Sequence, residues 1–195
     1  MSGGRRGFTL IEVSLSGALL ALVCVGFMGL LVHGLGVYQQ SIAEETAVRG
    51  ASQVIDAVLR ELKDATASSI VYSATTPDRI TFQRMVGYDP LGASDAARRI
   101  LTPAITFARA PMAAAGLADG TYQVVRSQAG APTSRVGGSI AASDPTVPAL
   151  PGFRFDVVRA GATALVTVTV AVSVPGGKLG ATVVRRSSSV ALEVD

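Results

Sequence analysis

RRGFTLIEVSLSGALLALVCVGFMGLLVHGLGVY, residues 5–38, decides how the rest of the chain is read. From Leu15 to Val37 there is no Asp, Glu, Lys or Arg. An uncharged apolar run longer than about 18 residues is long enough for a transmembrane helix. Arg5 and Arg6 stand before it, and the positive-inside rule puts that end in the cytoplasm. Everything beyond about Tyr38 then lies outside, where Glu44 and Glu45 are the first charges met. Much of the chain's apolar excess lies in this run: hydrophobic residues make up 49% of its 195 residues, and the mean hydropathy is +0.44.

Glu12 conflicts with a plain anchor. A carboxylate at the bilayer centre costs about 2.5–3.5 kcal/mol on insertion scales. The cost is smaller near the edge, where the side chain reaches back towards the headgroups. Glu12 therefore either marks the cytoplasmic edge or has a functional partner. A secretory signal peptide is the rival reading, but its apolar core runs to roughly 7–15 residues and ends at a small-x-small site. Here the run is longer, and the nearest candidate, Gly34-Leu35-Gly36, lacks the usual alanines.

Gly7-Phe8-Thr9-Leu10-Ile11-Glu12-Val13, with its basic leader before and its apolar helix after, resembles the processing motif of type IV prepilins and type II secretion pseudopilins. The resemblance covers the first fifth of the chain. It implies a leader of residues 1–7, cleavage between Gly7 and Phe8 by a membrane-embedded prepilin peptidase, and N-methylation of Phe8. Arg5 and Arg6 orient the leader. Glu12, fifth from Phe8, matches the glutamate thought to pair with the N-terminal amine of a neighbouring subunit. Two charges that are costly alone in lipid become tolerable when paired, and this pair exists only after cleavage frees the amine. The resemblance further implies a single-pass protein of the inner (cytoplasmic) membrane with its head in the periplasm, built into a filament through its N-terminal helix. Many pilins carry a proline within this helix; this one has none, and Gly26 and Gly29 are the weaker candidates for local bending.

Beyond the membrane run the helical period continues. Val48, Ala51, Ile55, Val58, Leu59 and Leu62 recur at three- and four-residue spacing, with Arg49, Asp56, Arg60 and Lys63 between them. This is an amphipathic helix with one stripe to bury, and Ala65 to Ser69 is a plausible stop. From Phe8 to Ala65 it would be about 85 Å long. The period then shortens. Strands are expected at Ile70–Tyr72, Arg79–Val86, Ile105–Arg109, Thr121–Arg126, Phe153–Arg159, Leu165–Val174 and Ala181–Val194. Alternation is strictest in Leu165–Val174, with Val166, Val168, Val170, Val172 and Val174 on one face, which predicts a half-buried antiparallel strand. Pro175 to Lys178 reads as a turn, and Tyr88–Ala97 and Ser127–Gly152 read as loops. The expected organisation is α+β: a leader (1–7), a transmembrane helix (8–37), its amphipathic outer half (38–67), and an antiparallel β-rich head (68–195) on which that half packs, in the shape of a pilin.

The head holds neither His nor Cys, since His33 and Cys24 both lie in the apolar run. His-based triads, Cys nucleophiles and ordinary zinc sites are thus excluded from it. The lone cysteine allows no internal disulfide and reads as a small hydrophobe; His33 reads as interfacial. No phosphate-binding loop follows a strand. Asp89, Asp95, Asp119 and Asp144 fall in expected loops without EF-hand spacing and read as solvated. The pI of 9.4 owes much to the leader: without Arg5 and Arg6, 15 Lys+Arg face 14 Asp+Glu. No enzyme activity, cofactor, metal or small-molecule substrate is expected, nor nucleic acid as a partner. The expected partners are the membrane, the prepilin peptidase and other pilins or pseudopilins. Size and layout are similar to J-type minor pseudopilins and W-type minor pilins. A head that grips DNA or a surface is the alternative reading, and an anchored enzyme the more remote one.

Overall fold

The computed structural model describes residues 9–112, 121–161, 163–175 and 181–193. Helix α1 runs Leu10–Leu62. No residue from Leu10 to Ile42 is buried, whereas Ala43, Ala47, Ala51, Val54, Ile55, Val58 and Leu62 form a buried stripe. One continuous helix therefore has two environments. Of the expected stripe, Val48 and Leu59 are half-buried flanks, and the alanines at 43, 47 and 51 extend it downwards. Small residues there let the helix approach the sheet closely; Gly50 lies against Val172. Burying Val54, Ile55, Val58 and Leu62 contributes about 1.5–3 kcal/mol for each side chain.

The helix ends at Leu62, short of the expected stop. Ala67–Ser69 forms a 3-10 turn instead. Ala65 bridges to Arg84, and the Ser69 hydroxyl donates to the Thr66 carbonyl at 2.8 Å while accepting from the Gln83 amide at 2.9 Å. These hydroxyl bonds compete with further helical turns.

The strands are β1 Val71–Tyr72, β2 Arg79–Phe82, β3 Met85–Tyr88, β4 Arg99–Leu101, β5 Ile105–Pro111, β6 Tyr122–Gln128, β7 Ala131–Ile140, β8 Phe153–Ala160, β9 Thr163–Pro175 and β10 Ala181–Glu193. A four-residue helix α2, Asp95–Arg98, precedes β4. The main sheet is antiparallel in the order β1-β2-β5-β6-β7-β9-β10, with β8 also paired to β9. β3 and β4 form a separate two-stranded sheet. The fold is thus α+β: one long N-terminal helix packed on a large antiparallel sheet. The core lies between α1 and the sheet, where Phe82, Phe107, Phe153, Phe155, Ile80, Ile105 and the β9 valines are buried.

Three expectations are corrected. Arg79–Val86 is two strands in two sheets, because the Gln83 and Arg84 amides donate to the Ser69 and Thr102 hydroxyls and leave the ladder. The expected loop Ser127–Gly152 contains β7, exposed in its first half and half-buried towards Ile140, with little apolar alternation. β9 is not half-buried: Thr169 and Ala171, on the face opposite its valines, are buried as well. The chain at 141–152 covers them, with the Ala171 amide donating to the Gly152 carbonyl at 2.6 Å and the Ala141 amide to the Ala171 carbonyl at 2.8 Å. The turn expected at Pro175–Lys178 lies, beyond Pro175, outside the described residues, as does Val194.

Candidate functional site

The uncovered half of α1 is the candidate site. From Val13 to Ala43 there is no Asp, Glu, Lys or Arg, and this stretch is about 45 Å long against a hydrocarbon core of about 30 Å. The helix is long and apolar enough to cross a membrane. Its large side chains have no cover among the described residues: Leu22 is 72% exposed, Val25 73% and Leu30 73%. Gly17, Gly26, Gly29, Gly34 and Gly36 touch nothing beyond the helix. Among the described residues they serve no packing, and each leaves a shallow notch in the helix surface. Cys24 is exposed on this same segment.

Thr9 and Glu12 start the helix. Thr9 has extended backbone angles (φ −77°, ψ 149°), as an N-cap requires. Its hydroxyl accepts from the Glu12 amide at 3.3 Å. The Glu12 Oε2 accepts from the Thr9 amide at 2.9 Å and from the Thr9 hydroxyl at 3.0 Å. This reciprocal pair is a capping box, which satisfies donors that the first helical turn leaves orphaned. Glu12 thus has a partner inside its own chain, three residues away. The Thr-x-x-Glu spacing, legible in Thr9-Leu10-Ile11-Glu12, is the signal that sequence reasoning passed over. Gly7, Phe8, Arg5 and Arg6 lie outside the described residues.

A second cluster lies in the head. Asp144 is fully buried, which corrects its reading as a solvated loop aspartate. One carboxylate oxygen accepts from the Thr146 amide at 2.8 Å and its hydroxyl at 2.6 Å. The other accepts from Arg154 on β8 and from Arg185 on β10, the latter at 2.9 Å. Burial pushes the carboxyl's pKa up. The Thr146 hydroxyl, Arg154, the Thr146 amide and the Arg185 charge together outweigh it and hold the group well below the usual carboxylate range. The cluster pins the 141–151 segment to two strands. The sequence missed it because both arginines are distant in the chain. Asp89 is exposed, and its carboxylate accepts from the Leu91 amide at 3.0 Å; Asp119 and the side chain of Asp95 lie outside the described residues.

An open cleft of about 560 Å³ runs between the Ala74–Asp78 turn and the Ala142–Pro151 segment. Its guanidinium, Arg109, donates to Asp78 at 3.2 Å and to the Ala142 carbonyl at 2.7 Å, and lies 4.2 Å from the centre of the Tyr122 ring. Arg109 thus closes the two walls together. Among the described residues no three His, Cys, Asp or Glu side chains are grouped to hold a metal. Comparison with family models, with curated proteins and with solved structures found no match.

Proposed function

We propose that the chain is a structural filament subunit of the type IV pilin-like kind, a minor pilin or minor pseudopilin. The observation that carries this reading is α1, a single helix of 53 residues whose outer part packs on the head while its first part has no cover at all. A helix in water does not leave eighteen large apolar side chains bare between Leu10 and Ile42; lipid covers them before assembly, and neighbouring helices cover them in a filament. In this reading the prepilin peptidase cuts between Gly7 and Phe8, Phe8 is N-methylated, and the head stays on the far side of the inner membrane. Glu12 keeps its carboxylate turned towards the helix start, where the cleaved N-terminus of a neighbour would arrive. The filament serves secretion or a pilus, and the head acts by packing rather than by catalysis.

Mass spectrometry of the N-terminus of the protein purified from membranes tests the proposal. An N-methylated Phe8 as first residue is the expected result. An intact Met1, or a cut near Gly36, refutes it.

A further inference from the structure

Among the described residues, β1, β8 and β10 each have an edge that faces no further strand, as does β7 before Ile140, its one pairing point with β9. The β1 and β8 edges are closed. β1 is only two residues long. β8 curls back onto the opposite end of the sheet, where the Phe155 amide donates to the Pro77 carbonyl at 2.7 Å and Arg159 donates to the Ile70 carbonyl at 2.9 Å. β10 is different. It pairs with β9 over all thirteen residues, Ala181 to Glu193, without a register shift. Among the described residues, no backbone group takes a hydrogen bond on its outer side. About half of the strand's amides and carbonyls point that way. Natural sheets blunt such edges with prolines, bulges, charged side chains or brevity. Within Thr182–Leu192 β10 has no proline, lysine or bulge, and its only charges are Arg185 and Arg186.

We propose that the outer edge of β10 is a strand-addition site that takes an extended, acidic segment of another polypeptide. The backbone row defines the extended form, because only a strand meets it at hydrogen-bonding spacing. The charge follows from Arg185 and Arg186, adjacent and so on opposite faces. Arg185 is engaged by Asp144; Arg186 is exposed, and Ala181–Leu192 carries no acid. An added strand with acidic residues at that level would meet the unmatched charge. A second copy of this chain fits poorly. α1 lies across the face of the sheet, with Gly50 at Val172 on β9, Val54 at Gly137 on β7 and Glu61 paired to Arg126 on β6. The two-fold axis of an antiparallel strand pair runs through the sheet and reverses any direction lying in it. An antiparallel β10–β10 pair would therefore send the two uncovered helices in opposite directions, which one membrane does not allow; this last step rests on the membrane reading, the site itself does not.

The test uses the full chain in detergent micelles and a labelled synthetic peptide of alternating Thr and Val with two central Glu, against the same peptide with Lys for Glu. The expected result is saturable binding of the acidic peptide, about tenfold or more tighter than the Lys peptide. Arg186→Glu reverses the order, and Arg186→Gln abolishes the preference. In the unmodified chain the peptide slows hydrogen exchange at alternate β10 amides. Four results overturn the proposal: no binding at about 1 mM, equal affinity for both peptides, protection that falls outside β10, or a dimer formed through β10. Because the exchange readout uses the unmodified chain, a misfolded variant does not rescue the idea.

Discussion

Asp144→Asn isolates the cluster that holds the head's long loop in place. Asn keeps an acceptor for the Thr146 amide and hydroxyl, but it turns an amide towards Arg154 and Arg185. It also removes the charge that neutralises Arg185 and most closely pairs Arg154, which keeps only Asp156 at 3.4 Å. Removing one partner of a buried pair costs about 3–5 kcal/mol. Arg154 is nearly buried, with a side chain 7% exposed, whereas that of Arg185 is 37% exposed and regains water, so the lower end, about 3 kcal/mol, is expected at neutral pH. The pH dependence has a definite sign. The folded carboxyl titrates well below the unfolded value of about 3.9, so its stabilisation is fully present above that value. It is lost as pH falls from about 4 towards the folded pKa. Urea unfolding of the full chain in micelles, followed by circular dichroism and tyrosine fluorescence at neutral and at acid pH, measures the difference. The gap between the parent chain and the variant should be widest at neutral pH and should shrink below about pH 4. A neutral-pH cost under about 1 kcal/mol, or a gap that stays constant into acid, refutes this account of the cluster.

Gly137→Ala should destabilise the head by about 1–3 kcal/mol, because a Cβ there would lie 2.2 Å from Val54 Cγ2 on α1. Adding Val54→Ala should recover part of that loss, which a double-mutant cycle in the same urea assay would show as a cost below the sum of the two singles. Gly152→Ala has no such relief, since its Cβ would meet the Ala141 carbonyl oxygen at 2.3 Å, and soluble expression or thermal unfolding should show the larger loss of the two glycine variants. Thr9→Val should fray the start of α1, at about 0.5–2 kcal/mol for a lost N-cap, read as faster amide exchange at residues 10–13 with the melting of the head unchanged.

The helix and the best strands were legible because their apolar periods are local. α1 shows its stripe at Ala51, Ile55, Val58 and Leu62, and β9 shows five alternating valines, Val166 to Val174, four of them buried. What escaped reading depends on contacts between distant residues. β7 carries Gly137 because α1 presses on it at Val54, so the strand looks like a loop in sequence. The break after β2 depends on Ser69 and Thr102, fourteen and eighteen residues from the amides they accept from. Asp144 looked like any loop aspartate, and only the fold brings Arg154 and Arg185 to it.

Glu12 now has two claims on one carboxylate, and they predict different behaviour. The capping box binds it to Thr9 within the chain; the proposed assembly step binds it to a neighbour's amine. Glu12→Ala removes both, so its failure to assemble would not tell them apart. Glu12→Gln does. A glutamine at this position of a capping box still accepts from the Thr9 amide, so the helix start survives, while the charge that an amine would pair with is gone. If charge pairing drives assembly, the Gln variant should be cleaved at Gly7 as usual, show parent-like exchange at residues 10–13, and enter filaments as poorly as the Ala variant. A Gln variant that assembles like the parent chain would refute the pairing and leave Glu12 as a helix cap. The experiment works because the first-turn geometry is satisfied within the chain: the cap needs only an acceptor, whereas a buried amine needs an opposite charge.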